Sequence, residues 1–369
     1  MKSKKYAKYI RWVILGIILG GTMIIHYLHI HSGAIYPSVH AICPLGGLEN
    51  LWAWAGGQAN LQKLFSGTMT LFFFTIIFAL IFGRAFCGYI CPFGALQELM
   101  GKISKKKFRV PEKADKILRY LKYAVLAFVT LMAWVTATIW ISPYDPWTAF
   151  AHIWTGKEIF AEMGTGFVIL IIILAASVFV DRIFCKYLCP AGAVYGLASK
   201  ISPCKIKREQ CSSCGQCVKA CPMNIEVSKT NKITSSECIA CCQCVAACPS
   251  KKSVLRMTVF GKSVNSLVII ILVAVIFFGS LFVFDRAGMY QVTVPTLSAV
   301  AESGNYLKII DLRGSMTIET GAMYVGMDLP DFYKLMEIPE TVPKETRLKE
   351  VVYYVPGYDF HVIKATKTK

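Results

Sequence analysis

The sequence predicts a membrane protein of the all-α class: five transmembrane helices, arranged as two repeated hairpins plus one, an inserted cysteine-rich domain and a small helical carboxy-terminal domain. Three observations predict it. The 369 residues are 55% hydrophobic and only 17% charged, too apolar for a soluble domain of this length. Five apolar runs are long enough to cross a bilayer. Of fifteen cysteines, eight fall in two identically spaced groups between the fourth and fifth runs.

The runs lie near Trp12 to Leu28, Leu64 to Phe82, Tyr120 to Ile141, Gly164 to Phe184 and Val264 to Phe284, against the ~20 helical residues that a ~30 Å hydrocarbon core requires. The first passes from a Lys-rich start into His26, His29 and His31 without a small-residue cleavage site, which predicts an uncleaved anchor. Lys and Arg alternate between the connections: five in residues 1–11, nine in 83–119 and thirteen in 181–263, but one each in 29–67 and 142–163. The positive-inside rule then predicts a multi-pass protein of the cytoplasmic membrane, with the amino terminus and the cysteine-rich insert cytoplasmic and the tail outside. The net charge of +18 is therefore a topology signal, and nucleic acid is excluded as a partner. Among the cysteines only Cys43 falls outside, which predicts no outer disulfide within one chain.

Residues Ile81 to Ala95 align with Phe179 to Ala193 at a constant offset, pairing Arg84 with Arg182, Cys87 with Cys185, Cys91 with Cys189, Pro92 with Pro190 and Gly94 with Gly192. Outer loops echo each other too, Ile42-Cys43-Pro44 against Ile141-Ser142-Pro143 and Gly57 against Gly156. The first two helices thus read as a duplicate of the next two, related by an axis along the membrane normal. Each copy ends in Cys-x3-Cys-Pro with an Arg three residues ahead. Cys87, Cys91, Cys185 and Cys189 then lie at one depth, as a shared four-thiolate metal centre or as two redox-active dithiols whose pKa the Arg would lower. The dithiol reading is preferred, because a spacing of three is not itself a cluster signature; the plainest alternative is a Cys-Pro turn that ends a helix. Pro92, Gly94, Pro190 and Gly192 are expected to matter less than the thiols, as residues that only shape the turn.

The insert reads Cys211-x2-Cys214-x2-Cys217-x3-Cys221-Pro222 and repeats as Cys238-x2-Cys241-x2-Cys244-x3-Cys248-Pro249. Three thiolates two residues apart wrap one iron–sulfur cube, and the fourth, ahead of Pro, reaches the other. Two [4Fe-4S] clusters follow: Cys211, Cys214, Cys217 and Cys248 as iron ligands of one, and Cys238, Cys241, Cys244 and Cys221 of the other. Zinc would need four ligands per site but not two four-Cys runs each closed by Pro. Cys242 lies outside the register. The insert resembles a bacterial-type 2[4Fe-4S] ferredoxin, so single-electron transfer is its chemistry.

With the paired Cys-x3-Cys-Pro motifs ahead of this insert, residues 10–285 resemble the NapH, NosR and CcoG group of polytopic membrane ferredoxins. That resemblance implies electron transfer between a cytoplasmic donor or acceptor protein, or the quinone pool, and a redox partner at or beyond the membrane. It does not carry over substrate or direction, because no flavin-binding domain of the NosR kind precedes the helices and an outer domain is added. The chain reads as an electron carrier ahead of a quinol dehydrogenase subunit. A redox-sensing or metal-handling assembly factor for a respiratory complex is the alternative. Cys43 and His26, His29, His31, His40 and His152 fall near the outer boundary, where a quinone pocket is favoured over a haem, and side chains without a cofactor are the plainest reading.

The expected domains are residues 1–200 for the duplicated hairpins, 201–260 for the ferredoxin, 261–285 for the fifth helix and 286–369 for the outer module. In the last, Asp328 with Asp331 and Thr341-Val342-Pro343 read as helix starts or turns, and docking of an extracytoplasmic redox protein is its expected role.

Overall fold

The computed structural model describes residues 2–32, 36–56, 61, 64–104, 106–156, 158–209, 211, 214–249, 254–293, 297, 300, 304, 306–309, 312, 314, 316–367. Gly57, singled out above, lies outside them. The chain forms two compact units, Met1–Ile24 with Val39–Val292 and Ile25–Ser38 with Thr293–Lys369.

Every apolar run is helical. In chain order the helices are α1 (Lys2–Ser32), α2 (Pro44–Glu49), α3 (Leu51–Ala55), α4 (Ser66–Phe82), α5 (Ala85–Tyr89), α6 (Pro92–Gly101), α7 (Glu112–Thr136), α8 (Pro146–Ala151), α9 (Glu158–Phe179), α10 (Ile183–Tyr187) and α11 (Pro190–Ser199). The insert follows, with β1 (Lys205–Arg208), α12 (Gln216–Lys219), β2 (Lys232–Ile233), α13 (Gln243–Ala247), β3 (Leu255–Val259) and β4 (Lys262–Val264), and then α14 (Ser266–Arg286). Three stretches are long and apolar enough to cross a membrane, Tyr6–His31, Glu112–Thr136 and Ser266–Arg286; Ser66–Phe82 and Met163–Phe179 are shorter apolar helices.

Two of the runs end sooner than hydropathy suggests, and each stop has a backbone cause. α7 stops at Thr136 rather than Ile141 because Ala137 takes a left-handed φ of 51°. α9 stops at Phe179 rather than Phe184: Arg182 also turns left-handed, at φ 52°, and its side chain is fully buried. After α4, Gly83 adopts φ 64° and ψ −149°, a conformation open essentially to glycine alone.

The insert departs from the all-α expectation. It holds an antiparallel sheet in the order β2-β1-β3-β4, with Ile206 opposite both Ile233 and Met257. Ile206 points into the core while Lys205 and Lys207 point out, the period-two pattern of a strand with one covered face. Phe260 and Gly261, at φ 48° and 81°, make the two-residue β3–β4 turn, since two positive φ values match the twist of the strands they join.

The second unit continues with α15 (Ile318–Val325), α16 (Leu329–Leu335) and α17 (Phe360–Lys367). Its described core centres on Leu312, Ile318, Phe332, Met336, Leu348 and Val351. The Thr317 hydroxyl caps α15 by accepting from the Thr320 N–H at 3.1 Å, and Asp328 stands at the N-cap of α16.

Candidate functional site

Cys221, Cys238, Cys241 and Cys244 line one cavity, walled otherwise by Ile206, Met223, Ile225, Val227, Ile233 and Ile239. The run after α12 therefore delivers Cys221 to the second cysteine group. Burial pushes the Cys221 thiol up to about 11 and Cys238 up to about 12, and the neighbouring thiols add to both shifts. Ionising such thiols needs a cation among them. Four sulfurs in an apolar cradle are the donor set of a [4Fe-4S] cube. Cys211 and Cys214 lie within electrostatic reach of Cys217, and Cys248 packs against the same apolar cluster as Cys217. Cys242 follows Cys241 as Gly215 follows Cys214, and both take left-handed φ, 56° and 73°; its thiol donates to the Ala240 carbonyl at 3.5 Å.

The two Cys-x3-Cys-Pro segments share one local structure. The first Cys of each sits in a one-turn helix, α5 or α10. The second is the N-cap of the next helix with Pro at its start, where a missing N–H is harmless. The Cys91 sulfur accepts from the Gly94 N–H at 3.4 Å and the Cys189 sulfur from the Gly192 N–H at 3.3 Å. Cys-Pro here begins a helix rather than ending one. Cys87 and Cys185 are buried, Cys91 and Cys189 half-buried, and all four thiols lie within electrostatic reach of one another.

Each motif's Arg serves the other motif. Arg84 donates to the Cys185 carbonyl at 3.4 Å, and Arg182 to the Cys87 carbonyl at 2.6 Å. A Cβ on Gly94 would stand 2.7 Å from Arg182 Nη1, and one on Gly192 2.8 Å from Arg84 Nη2. The glycines are thus clearance for the exchanged guanidiniums, which corrects the expectation that they only shape a turn. The expected lowering of the thiol pKa is also corrected. Burial pushes Cys91 up to about 12, followed by Cys185 and Cys87, and Arg182 offsets little of it.

Sequence reading missed the anions that hold these cations. Glu98 accepts from Arg182 Nε at 2.7 Å and from both terminal nitrogens of Arg11, at 2.9 and 2.8 Å. Glu237, in the insert, accepts from Arg84 at 2.9 Å and from Lys122. Burial opposes the charge on Glu98, but Arg182 and Arg11 override it and hold the carboxyl down at about 2. Neither acid is duplicated between the hairpins, so the repeat does not reveal them. The available signal was a polar pair, Gln97-Glu98, in an otherwise apolar helix beside a Cys-Pro motif.

The insert docks directly on the first motif. Tyr89 donates to the Ala240 carbonyl at 2.7 Å. A Cβ on Gly88 would meet the Ile239 carbonyl at 2.3 Å and the Cys241 Cβ at 3.6 Å. Cys87, Ile239, Met223, Cys221 and Cys241 belong to one apolar cluster.

Of the histidines singled out above, His29, His31 and His152 engage the main-chain carbonyls of Tyr36, Tyr27 and Thr148 through Nδ1, and His40 Nε2 meets Ser142 Oγ at 3.0 Å. Buried Glu49 has its carboxyl pushed up to about 8, by desolvation and then by Asp145. Among the described residues no three His, Cys, Asp or Glu side chains close on a single metal ion.

Membrane-length helices joined to an insert with a four-thiol apolar cradle define a membrane iron–sulfur protein. A family described as a 4Fe-4S binding domain matches residues 66–111 and 163–209, and a 4Fe-4S dicluster domain matches 203–249. YccM of Escherichia coli, whose name assigns it to electron transport, is 35% identical over 50% of this chain and 54% of its own length. The ferredoxin-type protein NapH of Escherichia coli is 27% identical over 58% of this chain and 72% of its own. The regulatory protein NosR of Pseudomonas aeruginosa is 28% identical over 41% and 22%. The chain thus spans about half the length of YccM and less of NosR. No solved structure matches. These matches make the chain a NapH- and NosR-like 4Fe-4S membrane protein.

Proposed function

We propose that the chain relays electrons between a cytoplasmic protein and a quinone or an extracytoplasmic redox partner. In this reading it crosses the membrane five times as two repeated hairpins and α14, with the insert inside and the tail after α14 outside. Cys211, Cys214, Cys217 and Cys248 hold one [4Fe-4S] cluster, and Cys221, Cys238, Cys241 and Cys244 hold the other. When bound, these clusters supply one-electron steps. The protein's own part is to keep the second cradle dry with Ile206, Ile225 and Ile233, and to press it onto α5. Cys87, Cys91, Cys185 and Cys189 then form the step toward the membrane acceptor.

The contact of Gly88 with Ile239 and Cys241 carries this reading. A Cβ on Gly88 would meet the Ile239 carbonyl and the Cys241 Cβ, so the second cradle packs against the helix of Cys87, and the four-thiol set is the next station for an electron leaving it. Reduced protein in quinone-loaded liposomes tests it: wild type should re-oxidise, and Cys91→Ser with Cys189→Ser should keep the ferredoxin clusters reducible yet lose most of that rate. Unchanged re-oxidation would remove the thiols from the route. Stoichiometric copper binding without quinone-dependent re-oxidation would favour the metal-handling alternative.

A further inference from the structure

Three of the four sulfurs in the Cys-Pro set receive a directed N–H. Besides Gly94 to Cys91 and Gly192 to Cys189, Gln97 Nε2 donates to the Cys185 sulfur at 3.2 Å. The amide cannot be reversed, because Gln97 Oε1 accepts from the Phe184 N–H at 3.1 Å. Donors aimed at sulfur are how proteins hold and tune cluster thiolates.

Charge gives a second, independent observation. Arg11 and Arg182 share one carboxylate, Glu98, and Arg84 and Lys122 share another, Glu237. Each set is buried and carries one uncompensated positive charge. Arg84 Nε and Arg182 Nη2 are buried with no hydrogen-bond partner, although both guanidiniums feel Cys87 and Cys185. Unpaired buried cations are costly, and the groups they face are the four thiols. As neutral thiols or disulfides these leave the positive charges unanswered. Four thiolates around an oxidised iron–sulfur core carry two negative charges, one for each set.

Four thiolates around one zinc ion would carry the same two negative charges; the match of both segments to a 4Fe-4S binding domain is what favours iron and sulfide over zinc. The two halves of the matched 4Fe-4S binding domain each carry only two of these cysteines, so neither alone has the ligands of a cluster.

We propose that Cys87, Cys91, Cys185 and Cys189 together hold a third iron–sulfur cluster, shared between the two hairpin ends, with Arg84 and Arg182 as positioning residues. This rests on the relay reading and replaces the dithiol with a cluster as the relaying species. One electron leaves the ferredoxin centre, which is oxidised, and one enters the four-thiolate centre, which is reduced; no bond or proton changes.

Iron and sulfide analysis of the anaerobically purified full chain tests it. With three cubes the wild type holds about twelve of each, or about ten if the third centre is [2Fe-2S]. Cys91→Ser with Cys189→Ser should return both to about eight, leaving the paired ferredoxin spin signal unchanged. Arg84→Gln should shift the midpoint potential of the third centre downward and leave the other two in place, since the reduced centre is the more negative; Arg84→Lys should restore part of it. About eight iron in wild type, with four thiols that oxidise to two disulfides, would overturn the third cluster yet leave a dithiol relay standing. Because the wild-type stoichiometry is decisive by itself, a poorly folding variant does not shelter the proposal.

Discussion

Arg182 donates to the main-chain carbonyl of Cys87 at 2.6 Å, across 95 residues of sequence. Arg84 does the same for Cys185, so each Cys-Pro motif is completed by the other's cation. Such an exchange leaves no space beside the helix start. Gly94→Ala and Gly192→Ala should each cost about 1–3 kcal/mol, as overpacked cores do, read as a lowered thermal midpoint in detergent. Gly20→Ala, with nothing within 4 Å of the added carbon, should be neutral or slightly stabilising. Equal effects at all three positions would show that the guanidiniums do not occupy those sites.

The Arg11–Glu98–Arg182 set should govern acid stability. Glu98 is held down at about 2 from an ordinary 4.5. A lowered carboxyl pKa contributes stability that is present above about pH 4.5 and lost as pH falls toward 2. Glu98→Gln leaves two buried cations without their anion and should cost about 3–5 kcal/mol at pH 7. It should also remove this part of the acid loss. Unfolding of both proteins at pH 7 and at about pH 3, inside that window, checks the sign; a variant that loses as much stability on acidification as wild type would refute it.

Docking of the insert depends on a missing side chain. At Gly88 the obstacle to a Cβ is the Ile239 backbone at 2.3 Å, which cannot rotate away. Gly88→Ala should lift the 238–244 loop, lower iron content by about four as the second cube is lost, and slow quinone-dependent re-oxidation. Full iron with unchanged kinetics would mean that the contact is dispensable.

Cys242 should be replaceable where its neighbours are not. It occupies a left-handed position, φ 56°, so Cys242→Gly should preserve iron and match or exceed wild-type stability by up to about 1 kcal/mol through relief at that backbone angle. Cys244→Ser should lose a cluster. Iron analysis of the pair separates the readings, and iron loss in Cys242→Gly would make that thiol a ligand after all.

Much of this chain was legible in one dimension. Helix formation follows from apolar runs of bilayer length, and the cubes from cysteine spacings of two and three residues; both signals are local. The duplication pointed to Cys87, Cys91, Cys185 and Cys189 as one set. It could not say that Arg84 belongs with Cys185, or that the balancing acids are Glu98 and Glu237, the latter 153 residues from Arg84. Nor could it show that Gly88 lies under Ile239. Burial makes an unpaired charge so costly that partners must be found wherever packing brings them, and packing across such separations is decided by the tertiary fold. The sequence by itself determined which chemistry this protein carries; the fold decided which groups share it.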